Sequence, residues 1–240
     1  MRKVVAIETE EGAGATVKRV FPTRHLSHFD PFALLDEFFV EPPASFPAHP
    51  HGGFEAITYM LEGGFHHKDN LGNDSIVLAG GAQKFTAGRE IVHSELPGTK
   101  GLNRGLQLWV RLPSKLRDME PDYQQIEPTN IPEDILRVAR VRTIVGEGSP
   151  IKLHTKVEYL DVRLHPRSTF SRSIDPSLNM MLYVLEGTLS LSNSQIRRGE
   201  AALLTAGETV EAVAEDAARF ALMAGKPHGE PVVLRGSFVY

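Results

Sequence analysis

Two short spacings in this chain place metal-binding side chains where they could act together. His49-Pro50-His51 sets two imidazoles two residues apart, and His93-Ser94-Glu95 pairs an imidazole with a carboxylate at the same spacing. In an extended segment residues i and i+2 project from one face, so each pair points a single way if its segment is a strand. Together they offer three nitrogens and one oxygen, a donor set suited to iron, manganese, nickel, copper or zinc. Half of the ten histidines fall between His49 and His93. Cysteine is absent, which removes thiolate ligands, iron–sulfur clusters and thiol nucleophiles together. Any metal must be held by histidine and carboxylate.

The elements that would carry these pairs read as strands. The 240 residues include 21 glycines and 16 prolines set between short apolar runs, and no long helical period appears, a texture of all-β sandwiches and barrels. Strands are expected over Ala56–Leu61, Ser75–Leu78, Gly105–Leu112, Lys156–Leu164, Met180–Leu185 and Ala218–Met223. Short helices are expected at Pro113–Met119 and around Asp30–Phe38. Glu120–Glu133, with Pro121, Pro128 and Pro132, reads as a connection. Trp109, the single tryptophan, reads as core packing.

The charge balance, 26 Lys+Arg against 30 Asp+Glu, argues against a DNA binder that works through phosphate contacts. The amino-terminal run turns acidic after four apolar residues, and no window approaches the ~18 apolar residues of a membrane span. The expectation is a cytoplasmic protein with no membrane and no nucleic-acid partner.

An internal repeat organises the chain. Tyr59-Met60-Leu61-Glu62-Gly63 returns as Tyr183-Val184-Leu185-Glu186-Gly187, and Gly81–Gly88 returns as Gly199–Gly207. Their common order points to a duplicated β-domain. The histidine pairs flank these landmarks in the first copy only. Extending the offsets sets Ser173 and Asp175 opposite His49 and His51, and Ala212 and Ala214 opposite His93 and Glu95, so the second copy lacks metal ligands.

The runs Ala48-His49-Pro50-His51-Gly52-Gly53-Phe54-Glu55-Ala56-Ile57-Thr58-Tyr59 and Thr86-Ala87-Gly88-Arg89-Glu90-Ile91-Val92-His93-Ser94-Glu95 resemble the pirin family of bicupins. His28–Phe38, Leu106–Val110 and the segments Gly229-Glu230-Pro231 and Gly236–Val239 extend the resemblance through most of the chain. It implies an all-β fold of two jelly-roll (cupin) β-barrels packed face to face. The expected division is 1–120 for a metal-binding domain and 121–240 for one without ligands. It further implies one divalent metal, Fe(II) foremost with Mn, Ni, Cu or Zn as alternatives, on the residues matching His49, His51, His93 and Glu95. Glu55 stands where many other cupins place a metal carboxylate, but the pirin pattern takes Glu95, which leaves Glu55 a supporting or structural part. His67 with Asp69 matches a family His-x-Asp pair, although the following turn makes exposure its simplest reading. Phe54 and Gln107 complete the expected supporting and pocket residues.

Three departures from the family pattern stand out. Lys84-Phe85 replaces Trp-Met, Glu90 replaces glycine, and the chain stops at Tyr240 where many relatives continue into a helix. Several pirin-like proteins are associated with quercetin 2,3-dioxygenase activity. The resemblance therefore implies opening of a flavonol ring by O₂ with release of carbon monoxide, Glu95 assisting deprotonation of a small aromatic chelating substrate. The alternative it carries is an iron-responsive regulatory protein, without turnover, that binds transcription factors or a metabolic enzyme as protein partners.

Overall fold

In the computed structural model, which describes residues 1–173, 175–192, 194–205 and 210–240, the chain is almost wholly β. Among these residues helix is confined to two 3-10 turns, Ser114–Leu116 and Pro128–Asn130, and no helix is long and apolar enough to cross a membrane. Each expected strand is present: Phe54–Glu62, Asp74–Leu78, Asn103–Arg111, Val157–Leu164, Asn179–Glu186 and Ala218–Gly225.

Two expectations fail. Asp30–Phe38 is not helical; Phe32–Val40 is a strand paired with Asn103–Arg111 on one side and Ala15–Phe21 on the other. It is covered on both faces, so its apolar run carries no period-two alternation to betray it. Its two acids are met by neighbouring strands, Asp36 by Arg19 at 2.6 Å and Glu37 by Arg104 at 2.6 Å. Glu120–Glu133 is not merely a connection, because Asp122–Ile126 forms a strand along Ala82–Thr86. The three prolines bracket that strand and leave its ladder hydrogen bonds intact.

The chain divides into two compact units. One holds residues 7–130, 153–155 and 228–240; the other holds 1–6, 131–152 and 156–227. This division differs from one cut at residue 120, since the first unit takes residues 228–240 from the carboxy-terminal end and the second takes residues 1–6 from the amino-terminal end.

The two units repeat one topology, as expected of two cupin jelly rolls. The first has a seven-stranded sheet in the order Asp122–Ile126, Ala82–Thr86, Phe54–Glu62, Asn103–Arg111, Phe32–Val40, Ala15–Phe21, Ile7–Glu11. The second has Arg2–Val5, Glu200–Leu204, Asn179–Glu186, Ala218–Gly225, Val157–Leu164, Ala139–Val145, Glu133–Ile135 in the same places. The repeated Glu-Gly landmarks close equivalent turns, with Gly63 at φ 68° and Gly187 at φ 74°, a conformation that favours glycine. The second copy of the other landmark ends at positions 206 and 207, outside the described residues.

Each unit adds a four-stranded sheet, Phe46–His51, Ile91–Pro97, Gly64–Asp69, Asp74–Leu78 in the first and Ser168–Ser171, Glu211–Ala214, Thr188–Leu191, Ser194–Arg197 in the second. In the second unit Ala212 pairs with Phe170, not with Ser173, and Phe170, Ala212 and Ala214 sit in a continuous apolar core with Leu182, Leu189 and Phe220. A longer connection from Ser168–Ser171 to Asn179–Glu186 than from Phe46–His51 to Phe54–Glu62 displaces the repeat offset there. Asp175 lies beyond the strand and pairs with Lys156 at 2.6 Å.

Candidate metal centre

Three i, i+2 pairs on adjacent antiparallel strands build the centre. His93 stands opposite His49 on one side and Asp69 on the other; Ile91 stands opposite His51, and Glu95 opposite His67. A bulge lies between His93 and Glu95, a device that re-aims a side chain beside a site. His51, His67, His93 and Glu95 are all buried, and His49 is half-buried. The ligand-type atoms form two overlapping groups, His49 with His51 and His93, and His67 with His93 and Glu95.

The hydrogen bonds define what these nitrogens offer. His49 Nδ1 donates to the Pro47 carbonyl at 2.7 Å, and His51 Nδ1 donates to the Ser237 carbonyl at 3.1 Å. A carbonyl only accepts, so in the neutral ring each proton resides on Nδ1 and each Nε2 keeps its lone pair. Those two Nε2 atoms face each other at 2.9 Å, and His93 Nε2 lies 3.2 Å from His49 Nε2. Burial pushes His51 down to about 3, aided by His49, and holds His93 well below the ordinary range, aided by His51 and His49. Neutral imidazoles turning lone pairs onto a common point repel one another unless a cation lies between them, so the donor set fits a divalent metal.

Glu95 is sealed from solvent, and burial pushes its carboxyl up to about 8 against the opposing hydrogen bond from Gln83. Gln83 Nε2 donates to Glu95 Oε1 at 2.5 Å and to Thr58 Oγ1 at 3.2 Å, and Thr58 Oγ1 donates to Gln107 Oε1 at 2.6 Å. This chain runs from the carboxylate to the wall of a cavity of about 480 Å³. His49, His51 and Glu95 open on that cavity, whose apolar wall includes Phe38, Phe46, Phe65 and Trp109.

The other expected residues sort by strand face. Phe54 stacks on Trp109 at 4.0 Å and meets the His51 ring at 5.2 Å. Trp109 itself lines the cavity, so it is wall as well as packing. His67 is buried with its ring over Tyr123 at 4.3 Å, not exposed. Glu55 is no part of this layer: it accepts from Thr86 Oγ1 at 3.1 Å and from His154 at its backbone nitrogen, 2.8 Å, and at Nδ1, 3.0 Å. Lys84 shares that side, 3.6 Å from Glu55, while Phe85 turns to His93 at 4.8 Å. Glu90 is exposed. His154 is therefore a partner of Glu55, and His228 meets Thr155 at 3.0 Å.

Sequence reasoning missed Tyr123, Gln83 and Ser237. Tyr123 lies in the supposed connection, and Ser237 acts through a backbone carbonyl 186 residues from His51, which no spacing signals. Gly53 admits that carboxy-terminal hairpin: at φ 86°, any Cβ there would collide with the Val239 carbonyl.

A family model described as Pirin matches residues 14–110, and one described as Pirin C-terminal cupin domain matches residues 159–240. A pirin-like protein of Arabidopsis thaliana is 42% identical across the whole of this chain and 83% of its own length. This chain belongs to the pirin family. Pirin architecture is equally clear among solved structures. A quercetin 2,3-dioxygenase from Acinetobacter baumannii superposes with a TM-score of 0.91 at 26% identity, covering 100% of this chain and 90% of that one. A bacterial pirin from Escherichia coli, solved in complex with nickel(II), has a TM-score of 0.80 at 20% identity over 94% of this chain and 99% of its own, a likeness of fold.

Proposed function

We propose that this pirin is an Fe(II)-dependent dioxygenase that opens the ring of a flavonol such as quercetin, consuming O₂ and releasing carbon monoxide. The observation that carries the reading is the convergence of three imidazole nitrogens beside a buried carboxylate at the floor of an aromatic-walled cavity. Its likeness to the Acinetobacter baumannii quercetin 2,3-dioxygenase supports the same reading. His49, His51, His93 and Glu95 would hold the ion. Bound iron would supply Lewis acidity toward a chelating pair of substrate oxygens and redox chemistry toward O₂.

The chain's own residues do the rest. The cavity volume of about 480 Å³ falls within the range that buries a small aromatic ligand, and Phe38, Phe46, Phe65 and Trp109 exclude water from it. Glu11 and Asp36 flank Arg19 on the wall at 2.7 and 2.6 Å. Those wall charges meet one another, and the rest of the wall is largely apolar, which suits an uncharged aromatic substrate. Glu95, oriented by Gln83, takes the proton of the flavonol 3-hydroxyl as the general base. Gln107 holds the far end of the same hydrogen-bond chain and orients the substrate edge.

The test is aerobic turnover of quercetin by anaerobically iron-loaded protein, read as flavonol absorbance loss with carbon monoxide release, beside His51→Ala. Stoichiometric carbon monoxide that vanishes in the variant is the expected result. Full iron occupancy without turnover would remove the dioxygenase reading and favour an iron-responsive binding protein.

A further inference from the structure

The metal ligands account for one nitrogen of His93 and leave the other to be explained. His93 Nδ1 lies 3.4 Å from His67 Nδ1, and His67 Nε2 lies 3.0 Å from Asp69 Oδ2. The side chains of His67 and Asp69 are fully sealed from solvent, so no water chooses where their protons reside. Asp69 is held by a local turn: Oδ1 accepts from the backbone nitrogens of Leu71 at 2.9 Å and Asn73 at 3.0 Å, and Oδ2 accepts from Asn73 Nδ2 at 2.8 Å.

These contacts form a chain with one consistent assignment. An ionised carboxylate only accepts, so His67 carries its proton on Nε2 and presents a bare Nδ1. A bare Nδ1 must receive, so His93 carries its proton on Nδ1 and presents a bare Nε2 toward His49. We infer that Asp69, acting through His67, selects the His93 tautomer whose Nε2 is free to bind metal, making both of them positioning residues of the centre. The inference rests on reading His49, His51 and His93 as ligands and is independent of the flavonol chemistry. Hydrogen bonds of this kind to a ligating imidazole fix its orientation and basicity.

The chain can be reversed by one atom. In Asp69→Asn the two backbone donors keep the amide oxygen at the Oδ1 position, which turns the NH₂ toward His67 Nε2. His67 must then accept at Nε2 and donate from Nδ1. His93 in turn accepts at Nδ1 and carries its proton on Nε2, where the metal should bind. Asn73, whose Nδ2 now donates to Oδ2, must turn its amide oxygen to the new NH₂, while His67 still stacks on Tyr123.

The experiment measures nickel(II) affinity by chelator competition in four proteins: wild type, Asp69→Asn, His67→Phe and the double variant. Asp69→Asn is expected to weaken binding about 10- to 100-fold. His67→Phe keeps a ring over Tyr123 but removes the relay, so adding Asp69→Asn to it should change affinity by less than about twofold. An equal loss from Asp69→Asn in both backgrounds, or no loss in either, would overturn the inference, because a merely structural role for Asp69 does not depend on His67. Nitrogen-15 NMR of the metal-free wild type gives a second readout that no variant's folding can spoil. Protons on His93 Nδ1 and His67 Nε2 are expected, and a proton on His93 Nε2 would refute the relay. A wild type that shows these tautomers yet binds no nickel would sink the metal reading instead.

Discussion

Glu95 makes the metal-free protein lose stability as the solution becomes more alkaline. Its folded carboxyl holds a proton up to about 8, while the unfolded chain releases it near 4.5. Between those values the folded state binds one more proton than the unfolded state, so unfolding free energy falls by about 1.4 kcal/mol for each pH unit. The buried imidazoles act oppositely. His51, His67 and His93 are held below their ordinary 6.5, so the unfolded state takes up the protons and stability rises with pH until 6.5 is passed. At 6.5 the unfolded-state histidines are still half-protonated, and with His28 and His228 also held low their remaining gain offsets much of the Glu95 loss between 6.5 and 8, so the Glu95 contribution of about 2 kcal/mol is read as the difference between wild type and Glu95→Gln. The group is wholly buried, so solvent screening does not discount it. Trp109, the single tryptophan, packs against His51 and Phe54, so its fluorescence in urea reports this unit alone. With EDTA present, the wild-type midpoint should fall by about 1 M relative to that of Glu95→Gln across that window. Parallel midpoints in the two proteins would refute the reasoning. Metal-loaded protein should lose the slope, because binding displaces the proton.

Glu55→Ala should destabilise the protein by about 3 kcal/mol, since it strips a fully buried acceptor from His154 and Thr86 and leaves Lys84 with only the exposed Asp122. Nickel affinity should stay within about twofold of wild type; a fall as large as that of His51→Ala would make Glu55 a ligand. Gly53→Ala should lift the hairpin around Val239 away, exposing the Val239 amide that now donates to the Gly52 carbonyl at 3.0 Å. Amide exchange at Val239 should accelerate, and metal affinity should fall about tenfold as His51 loses its carbonyl partner. Unchanged protection at Val239 would contradict the packing argument.

The clustering of His49, His51, His93 and Glu95 was legible because strand geometry turns an i, i+2 spacing into a shared face without further information. The same alternation made the His67/Asp69 pair visible, but not its direction, because exposure and burial of a hairpin strand differ only in what covers it. Tyr123 and Ser237 were invisible for another reason: Tyr123 reaches His67 through a strand pairing that prolines disguised, and Ser237 contributes a backbone oxygen that every residue possesses. Phe32–Val40 was misread because burial on both faces erases the strand period. The repeat revealed the duplication, yet a longer loop before its second copy shifted the offset, so Phe170 and not Ser173 faces Ala212 in the second barrel.

The carbonyl of Ser237 gives the centre a temporal order. His51 leaves the ribosome 186 residues before the atom that orients its ring, so while the intervening residues are made that imidazole is free to hold its proton on either nitrogen. Metal captured early would meet a mobile, poorly selective trio, whereas metal arriving after the hairpin docks meets ligands already aligned. Docking of that hairpin thus serves as the maturation checkpoint of the centre.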